Sequence, residues 1–412
     1  MKKKGIFGLL GILINIPCIG YAAEIESYIV GGNPVRQGDE ITWMASIRNT
    51  TDNTSHFCGG SIVNKEWVLT AAHCVVQGIA GNEFTLPPNN LAVMVGKLSS
   101  EVVDTADLYQ VTHVVVHPEY SPNAETKITV DENQNQTQEV VKLALDNDIA
   151  LLRVNRSFPF PTVNPIKLAD QKIAQRLEAS LAGEWNEINR PANTVVSGWG
   201  ATNSDGTGIS TNLMYTELSY LPISDCFNLL ERGNDEHFII GSPMNLTKVC
   251  ALPPDILFDE EGDPLGYGPD ACKGDSGGPL VTKDIDGRWV QLGVVSGGPQ
   301  GAPLCGAYLR PGFYARVGTY FDWIKEIVGK IPDSPISNPD FMEDKETGTS
   351  KDDDQDVDTG EGKADEGCNP EVSGISPNNC ALNSDGGGGM VSYFGLGGLI
   401  LMLLRRRVLS RD

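Results

Sequence analysis

Short apolar runs rich in β-branched residues recur along the middle of the chain, at 61–63, 67–69, 91–95, 111–116, 149–154, 194–196, 289–295 and 313–317. Gly and Pro punctuate the intervals between them. This is the pattern of an all-β sandwich or barrel assembled from many short strands. No long amphipathic helical period interrupts residues 29–331 until their end. There Phe321, Ile324, Ile327 and Val328 fall at i, i+3, i+6 and i+7, which predicts one closing helix over 320–330. No internal repeat is visible.

Two further apolar stretches lie near the ends. Lys2, Lys3 and Lys4 precede an apolar run at 6–19, and small residues follow. Residues 1–22 therefore read as a secretory signal cut after Ala22. A cut after Ala23 would put Tyr21 at the upstream small-residue position and fits less well. Residues 332–389 hold 15 acidic residues against 3 basic ones. The carboxylates from Asp352 to Asp358 repel one another and build no core, so this stretch is expected to be a disordered acidic linker. Its Asp354-Gln355-Asp356-Val357-Asp358 alternation lacks the glycine and closing carboxylate of a calcium loop. Glycines 386–389 lead into an almost wholly apolar segment, 390–404, which Arg405, Arg406 and Arg407 close. Residues 390–412 are thus expected to form a short hydrophobic helix that anchors in a membrane, its arginines on the cytoplasmic side.

Composition narrows the class. A hydrophobic content of 40% over 412 residues suits a sizeable core, and a net charge of −23 lacks the basic stripe on which nucleic-acid binding depends. Of nine cysteines, all but Cys18 lie outside the signal, which points to an oxidising compartment and leaves the pairing open. No CxxC or His-rich spacing points to a metal.

Three segments carry chemistry. Gly274-Asp275-Ser276-Gly277-Gly278-Pro279 sets a serine among glycines, which let a backbone approach a substrate and turn its N–H groups toward it. Thr70-Ala71-Ala72-His73-Cys74 follows a strand and offers a base. Asp148-Ile149-Ala150-Leu151-Leu152 heads an apolar strand with a carboxylate able to orient an imidazole, and Asp146 is a rival for that role.

With Ile29-Val30-Gly31-Gly32, Gly198-Trp199-Gly200 and Pro311-Gly312-Phe313-Tyr314, these segments make six ordered motifs. In them the chain resembles the trypsin/chymotrypsin family of serine proteases over about 29–331. The resemblance implies two six-stranded antiparallel β-barrels with a C-terminal helix and a cleft between the barrels. It implies an endopeptidase without cofactor, in which Ser276 is the nucleophile, His73 the base and Asp148 its orienting carboxylate. The Gly274 and Ser276 N–H groups would form the oxyanion hole. Asp270, six residues before Ser276, would floor a pocket for Arg or Lys, with Ser296, Gly298 and Gly312 on its walls. The resemblance also pairs Cys58 with Cys74, Cys226 with Cys250 and Cys272 with Cys305, leaving Cys368 to Cys380. Residues 23–28 would be a short propeptide. Its removal would free Ile29 to pair with Asp275, and because Tyr28 precedes the cut, a second protease of other specificity is expected to make it.

The chain departs from that family in polar inserts at 78–90 and 121–142, in a long stretch from Cys250 to Cys272, and in Gly297 where an aromatic residue usually stands. Lys97 stands near where calcium-binding members carry a glutamate, so no calcium is expected there. A protease-like binding module and an adhesin with a vestigial protease domain are the competing classes. Relatives of that kind lose a motif, and here all are present. The tail, in turn, resembles the GlyGly-CTERM sorting tail of Gram-negative surface and secreted proteins. That resemblance implies a rhomboid-family sortase and secretion machinery as partners, a transient or permanent anchor, and passage through the periplasm to the cell surface or medium.

Overall fold

The computed structural model describes residues 29–347, apart from 53–54, 79–81, 103, 131–135, 234–236 and 299. Strands Met44–Asn49, Ser55–Ile62, Trp67–Thr70, Leu91–Val95, Leu108–Val116 and Ala150–Val154 form a closed antiparallel barrel. Closure is visible at Ala150, which pairs with Thr70 on one side and Val116 on the other. Strands Thr194–Gly198, Met214–Leu221, Lys248–Leu252, Pro279–Lys283, Trp289–Gly297 and Gly312–Arg316 close a second barrel, where Tyr220 pairs with Ala251 and Cys250 with Phe313. Closure removes the unpaired edges that would otherwise recruit other chains. It also explains the apolar runs. Leu91–Val95 is buried at every position because both of its faces are covered, whereas Leu108–Val116 alternates at its exposed start, with Tyr109 and Val111 in and Gln110 out.

The barrels meet through Trp43 and Met44 from the first and Trp199, Leu213 and Val281 from the second. A buried polar strut crosses the same seam: Ser61 Oγ donates to Gln291 Oε1 at 2.7 Å. The seam is therefore both apolar and registered, because a buried hydroxyl without its partner is costly.

The closing helix spans Val317–Gly329 and buries Val317, Tyr320 and Ile324. Two earlier helices, Gln171–Glu184 and Ile223–Leu230, correct the expectation that none precedes it. The longer one buries just Ala174 and Leu181, too thin a stripe to raise a helical period in the sequence. It starts where Asp170 Oδ1 accepts from Ile173 N–H at 2.7 Å, an N-cap. It also lies so close to the closing helix that a Cβ on Gly318 would stand 2.5 Å from that of Ala174.

The start of the acidic linker is a second correction. Residues 332–347 are folded: Ile336–Ser337 adds a parallel strand to Leu108–Val116, and a helix follows at Asp340–Thr347. Met342 is buried, and Phe341 packs against the first barrel's core. Averaging over the acidic segment hid these few apolar residues. The signal, the propeptide, the remainder of the linker, the 390–412 segment, Cys368 and Cys380 lie outside the described residues. No helix among the described residues is long and apolar enough to cross a membrane.

Truncation after Ile331 is expected to destabilise the folded unit by about 2–5 kcal/mol, the range for losing large buried apolar side chains. The reference for that loss is the chain truncated after Thr347. Urea denaturation of both variants checks this, and equal midpoints would contradict the assignment of 332–347 to the fold.

Candidate functional site

His73 and Asp148 are brought together at the open end of the first barrel. The strand Trp67–Thr70 ends in a single 3-10 turn, Ala72–Cys74, which carries His73. Asp148 follows Asn147, whose φ of 49° turns the chain sharply into the next strand. Asparagine tolerates this left-handed conformation better than most residues. Tyr320 of the closing helix donates to Asn147 Oδ1 at 2.9 Å, and Asn147 Nδ2 donates to the Glu119 carbonyl at 2.8 Å. The turn is thus held from both sides.

The Asp148 carboxylate, 1% exposed, accepts three hydrogen bonds. His73 N–H donates to Oδ1 at 2.9 Å and His73 Nδ1–H to Oδ2 at 2.7 Å. Ser296 Oγ–H donates to Oδ2 at 2.6 Å, a contact not foreseen for a residue expected only in the pocket wall. The rival Asp146 is engaged elsewhere: Lys248 Nζ and Asn123 Nδ2 donate to it at 3.0 and 2.7 Å. These contacts tie down the base of a long antiparallel hairpin, Ser121–Val130 with Gln136–Asp146, formed by the insert before Asp148.

Ser276 lies beside this pair. Cys74 Sγ is 3.9 Å from His73 Nε2 and 3.6 Å from the Ser276 carbonyl oxygen. The Ser276 loop presses so closely on the histidine strand that a Cβ on Gly277 would meet Thr70 Oγ1 at 2.2 Å. Gly59 N–H donates to the Ser276 carbonyl at 2.8 Å. Among the described residues, neither Ser276 Oγ nor the Gly274 and Ser276 N–H groups have a hydrogen-bond partner, so all three are available to a substrate. Gly274, at a φ of +96°, sits where a Cβ would be 3.0 Å from Gly200 Cα.

Asp275 points the other way, into the protein. It is fully buried and accepts from Gly200 N–H at 2.8 Å and Cys272 N–H at 2.9 Å. No cation pairs with it among the described residues. Burial pushes its pKa up to about 7 despite those two bonds, and the nearby Asp270 charge adds to the rise. Ile29 and Val30 are distant in sequence but buried against the same loop system, where Asp270 N–H donates to the Val30 carbonyl at 3.1 Å.

Asp270 is likewise buried, and its two oxygens accept from Ala271 N–H at 2.8 Å and Gly306 N–H at 3.0 Å. Burial raises its pKa to about 7 as well. Space remains around the expected walls: a Cβ on Gly298 would meet nothing within 4 Å, and one on Gly312 would touch Tyr314 at 3.6 Å. The extra residues before Cys305 are braced by Arg310, which donates to the carbonyls of Gln300 and Pro303. Disulfides join Cys58 to Cys74, Cys226 to Cys250 and Cys272 to Cys305. Cys58, His73 and Cys74 sit close enough to suggest a metal, but both sulfurs are spent in the bridge and have no thiolate to offer.

Reading the sequence missed His56, Ser46 and Arg48. His56 Nε2 donates to the Gly274 carbonyl at 3.0 Å, and its Nδ1 lies 2.9 Å from Ser46 Oγ. A lone histidine in a strand carries no motif, so nothing in the sequence marked it.

A family model described as Trypsin matches residues 29–324. Serine protease 41 of Homo sapiens is 30% identical over 324 residues, covering 77% of this chain and 80% of its own. Tryptase of Mus musculus is 30% identical over 307 residues, 73% of this chain and 89% of its own. Trypsin Blo t 3 of Blomia tropicalis is 28% identical over 302 residues, 73% and 86% respectively.

The unpaired Asp275 predicts a pH signature. Below about pH 4 its carboxyl is protonated in the folded and unfolded chain alike. As pH rises to about 7 the unfolded chain releases the proton while the folded chain keeps it, so this group's share of stability is lost. In an uncut Ser276→Ala background, Asp275→Asn is therefore expected to gain stability relative to its parent across that window, by roughly 4 kcal/mol at the limit. Any fixed cost of the amide is independent of pH. Thermal denaturation of both chains between pH 4 and 8 measures the difference, and a flat difference would contradict it.

Proposed function

The chain belongs to the trypsin family and is a trypsin-like serine endopeptidase, and from that premise we propose that it is exported, made as a zymogen, and cuts after Arg and Lys. The observation that carries this reading is the buried Asp148–His73 pair beside the Ser276 loop, with a buried carboxylate at Asp270 that meets no cation among the described residues.

In this reading His73 Nδ1–H is committed to Asp148, which leaves Nε2 as the bare nitrogen that takes the Ser276 proton. Ser276 Oγ attacks the scissile carbonyl, and the imidazolium formed is stabilised by Asp148 before it protonates the leaving amine. The Gly274 and Ser276 N–H groups receive the oxyanion; losing one such donor typically costs about 3 kcal/mol. Water, activated by the same histidine, then releases the acyl group.

Asp270 supplies the specificity. Its carboxylate is buried with two amide donors and, among the described residues, no cation, so a substrate guanidinium or ammonium is the missing partner. At an effective dielectric of about 20, charges 4 Å apart gain roughly 4 kcal/mol before desolvation.

Asp275 supplies the activation. A new ammonium at Ile29 is the cation it lacks, and breaking a buried pair of this kind costs about 3–5 kcal/mol. Ile29 has a φ of 37°, a strained value for a β-branched residue. Cutting Tyr28–Ile29 abolishes that torsion and releases the strain. An enzyme with Asp270 in its pocket cuts poorly after tyrosine, so a second protease makes the cut. The basic and apolar leader supports export, and the glycine–apolar–arginine tail supports a membrane stage ended by a rhomboid-family sortase.

In the activated enzyme, Ser276→Ala is expected to leave less than about a thousandth of the parent turnover while keeping the fold. Asp270→Ser should abolish the preference for Arg over Phe at the cleaved bond. A peptide library read by mass spectrometry measures both, and a parent that prefers Phe or Leu would contradict the specificity reading. Purified zymogen incubated alone should not acquire an Ile29 N-terminus. Its rapid appearance with Ser276 present, but not with Ser276→Ala, would show self-activation instead.

A further inference from the structure

The Gly274 carbonyl is held from the first barrel by a chain of three side chains, two of them buried (Arg48 and Ser46) and the third, His56, half-buried. Arg48, on the strand Met44–Asn49, donates from Nη1 to Ser46 Oγ at 2.9 Å. Ser46 Oγ and His56 Nδ1 are 2.9 Å apart, and His56 Nε2 and the Gly274 oxygen are 3.0 Å apart. Arg48 Nη2 donates to the Ser100 carbonyl at 2.7 Å, which fixes the guanidinium. Ser46 is fully buried and Arg48 is 4% exposed, so neither reaches a substrate.

The two ends of the chain set its direction. A guanidinium has donors and no acceptor, so the Ser46 oxygen accepts from Arg48 and its hydroxyl hydrogen is left for His56. A carbonyl only accepts, so His56 Nε2 carries a proton. In a neutral imidazole Nδ1 is then bare and takes the Ser46 hydrogen. Burial keeps His56 neutral, its pKa pushed down to about 4, with the Arg48 charge adding to the effect against the bond to Gly274. Trp199 packs edge-on against the ring, the centroids 5.5 Å apart. Each proton along the chain has one place.

We propose that Arg48 and Ser46 are positioning residues for the oxyanion hole: they lock His56 in its Nε2–H tautomer, which pins the Gly274 carbonyl and so aims the Gly274 N–H at the developing oxyanion. This rests on the reading of Gly274 as an oxyanion donor. A glycine has no side chain to restrict its backbone, so the torsions around Gly274 need an external hold. The strand Ser55–Ile62 gives two, since His56 takes the Gly274 carbonyl and Gly59 N–H the Ser276 carbonyl, on either side of Asp275. The first barrel thereby shapes a catalytic loop that belongs to the second.

The test uses activated enzyme, titrated for active sites. Ser46→Ala is expected to lower kcat about tenfold while KM for an Arg amide stays within about twofold, because the lost bond acts on the transition state. Affinity for a peptide aldehyde, which needs the oxyanion hole, should fall in parallel, and affinity for benzamidine, which needs only Asp270, should not. Ser46→Thr keeps the hydroxyl and should restore kcat. Arg48→Lys keeps a donor and should lie close to the parent, and Arg48→Met, if it folds, should behave like Ser46→Ala. In 15N spectra of the Ser276→Ala chain, His56 should show a proton on Nε2 alone, and a mixture of tautomers after Ser46→Ala. Unchanged kcat and aldehyde affinity in Ser46→Ala, with Ser276→Ala inactive, would overturn the proposal and leave the catalytic reading standing. Equal losses for aldehyde and benzamidine, or a proton on His56 Nδ1, would overturn it as well.

Discussion

A carboxylate buried without a cation is the constraint on which this molecule turns. Removing an ionised carboxyl from water is costly unless hydrogen bonds or an opposite charge replace its solvation. Asp148, Asp270 and Asp275 are all buried around the cleft, and each meets that cost differently. Asp148 is satisfied within the fold by His73 and Ser296. Among the described residues Asp270 and Asp275 receive two backbone N–H bonds each and no cation, and both are pushed up to about 7. One carboxylate orients a base, while the other two are poised to favour a partner that brings positive charge. Under the proposed function, specificity and activation are the same electrostatic problem solved at two neighbouring places.

The barrels make that arrangement possible. Each closes on itself, so the loops at their seam are free of edge pairing and are held instead by side chains reaching across. Ser61 to Gln291 registers the seam in the core, Ser296 of the second barrel steadies Asp148 of the first, and His56 of the first steadies Gly274 of the second. The site is thus a product of the interface rather than of either barrel. A change that shifts one barrel against the other would disturb the carboxylates, the histidine and the Gly274 loop together.

Much of this was legible in the sequence because some of the chemistry is local. Strands such as Leu91–Val95 announce themselves by unbroken apolar runs, and the Gly274–Gly278 stretch shows its glycines because a close backbone approach tolerates no Cβ. Other features are long-range and leave no local trace. Ser46, Arg48 and His56 are ordinary strand residues until folding sets them against a loop more than 200 positions away. The helix Gln171–Glu184 buries too few residues to set a period. Met342 and Phe341 were masked by the acidic composition around them, although they cover the first barrel.

The central claim, that Asp275 is a buried carboxylate awaiting the cation released by cleavage, is tested most directly by following its ionisation. Carbon-13 NMR of aspartate-labelled Ser276→Ala chain, assigned by comparison with Asp275→Asn, gives the carboxyl's titration before and after the Tyr28–Ile29 bond is cut. The account predicts a midpoint near 7 in the uncut chain and one well below the ordinary carboxylate value, about 4, once the Ile29 ammonium is present. A midpoint that does not move on cleavage would contradict it.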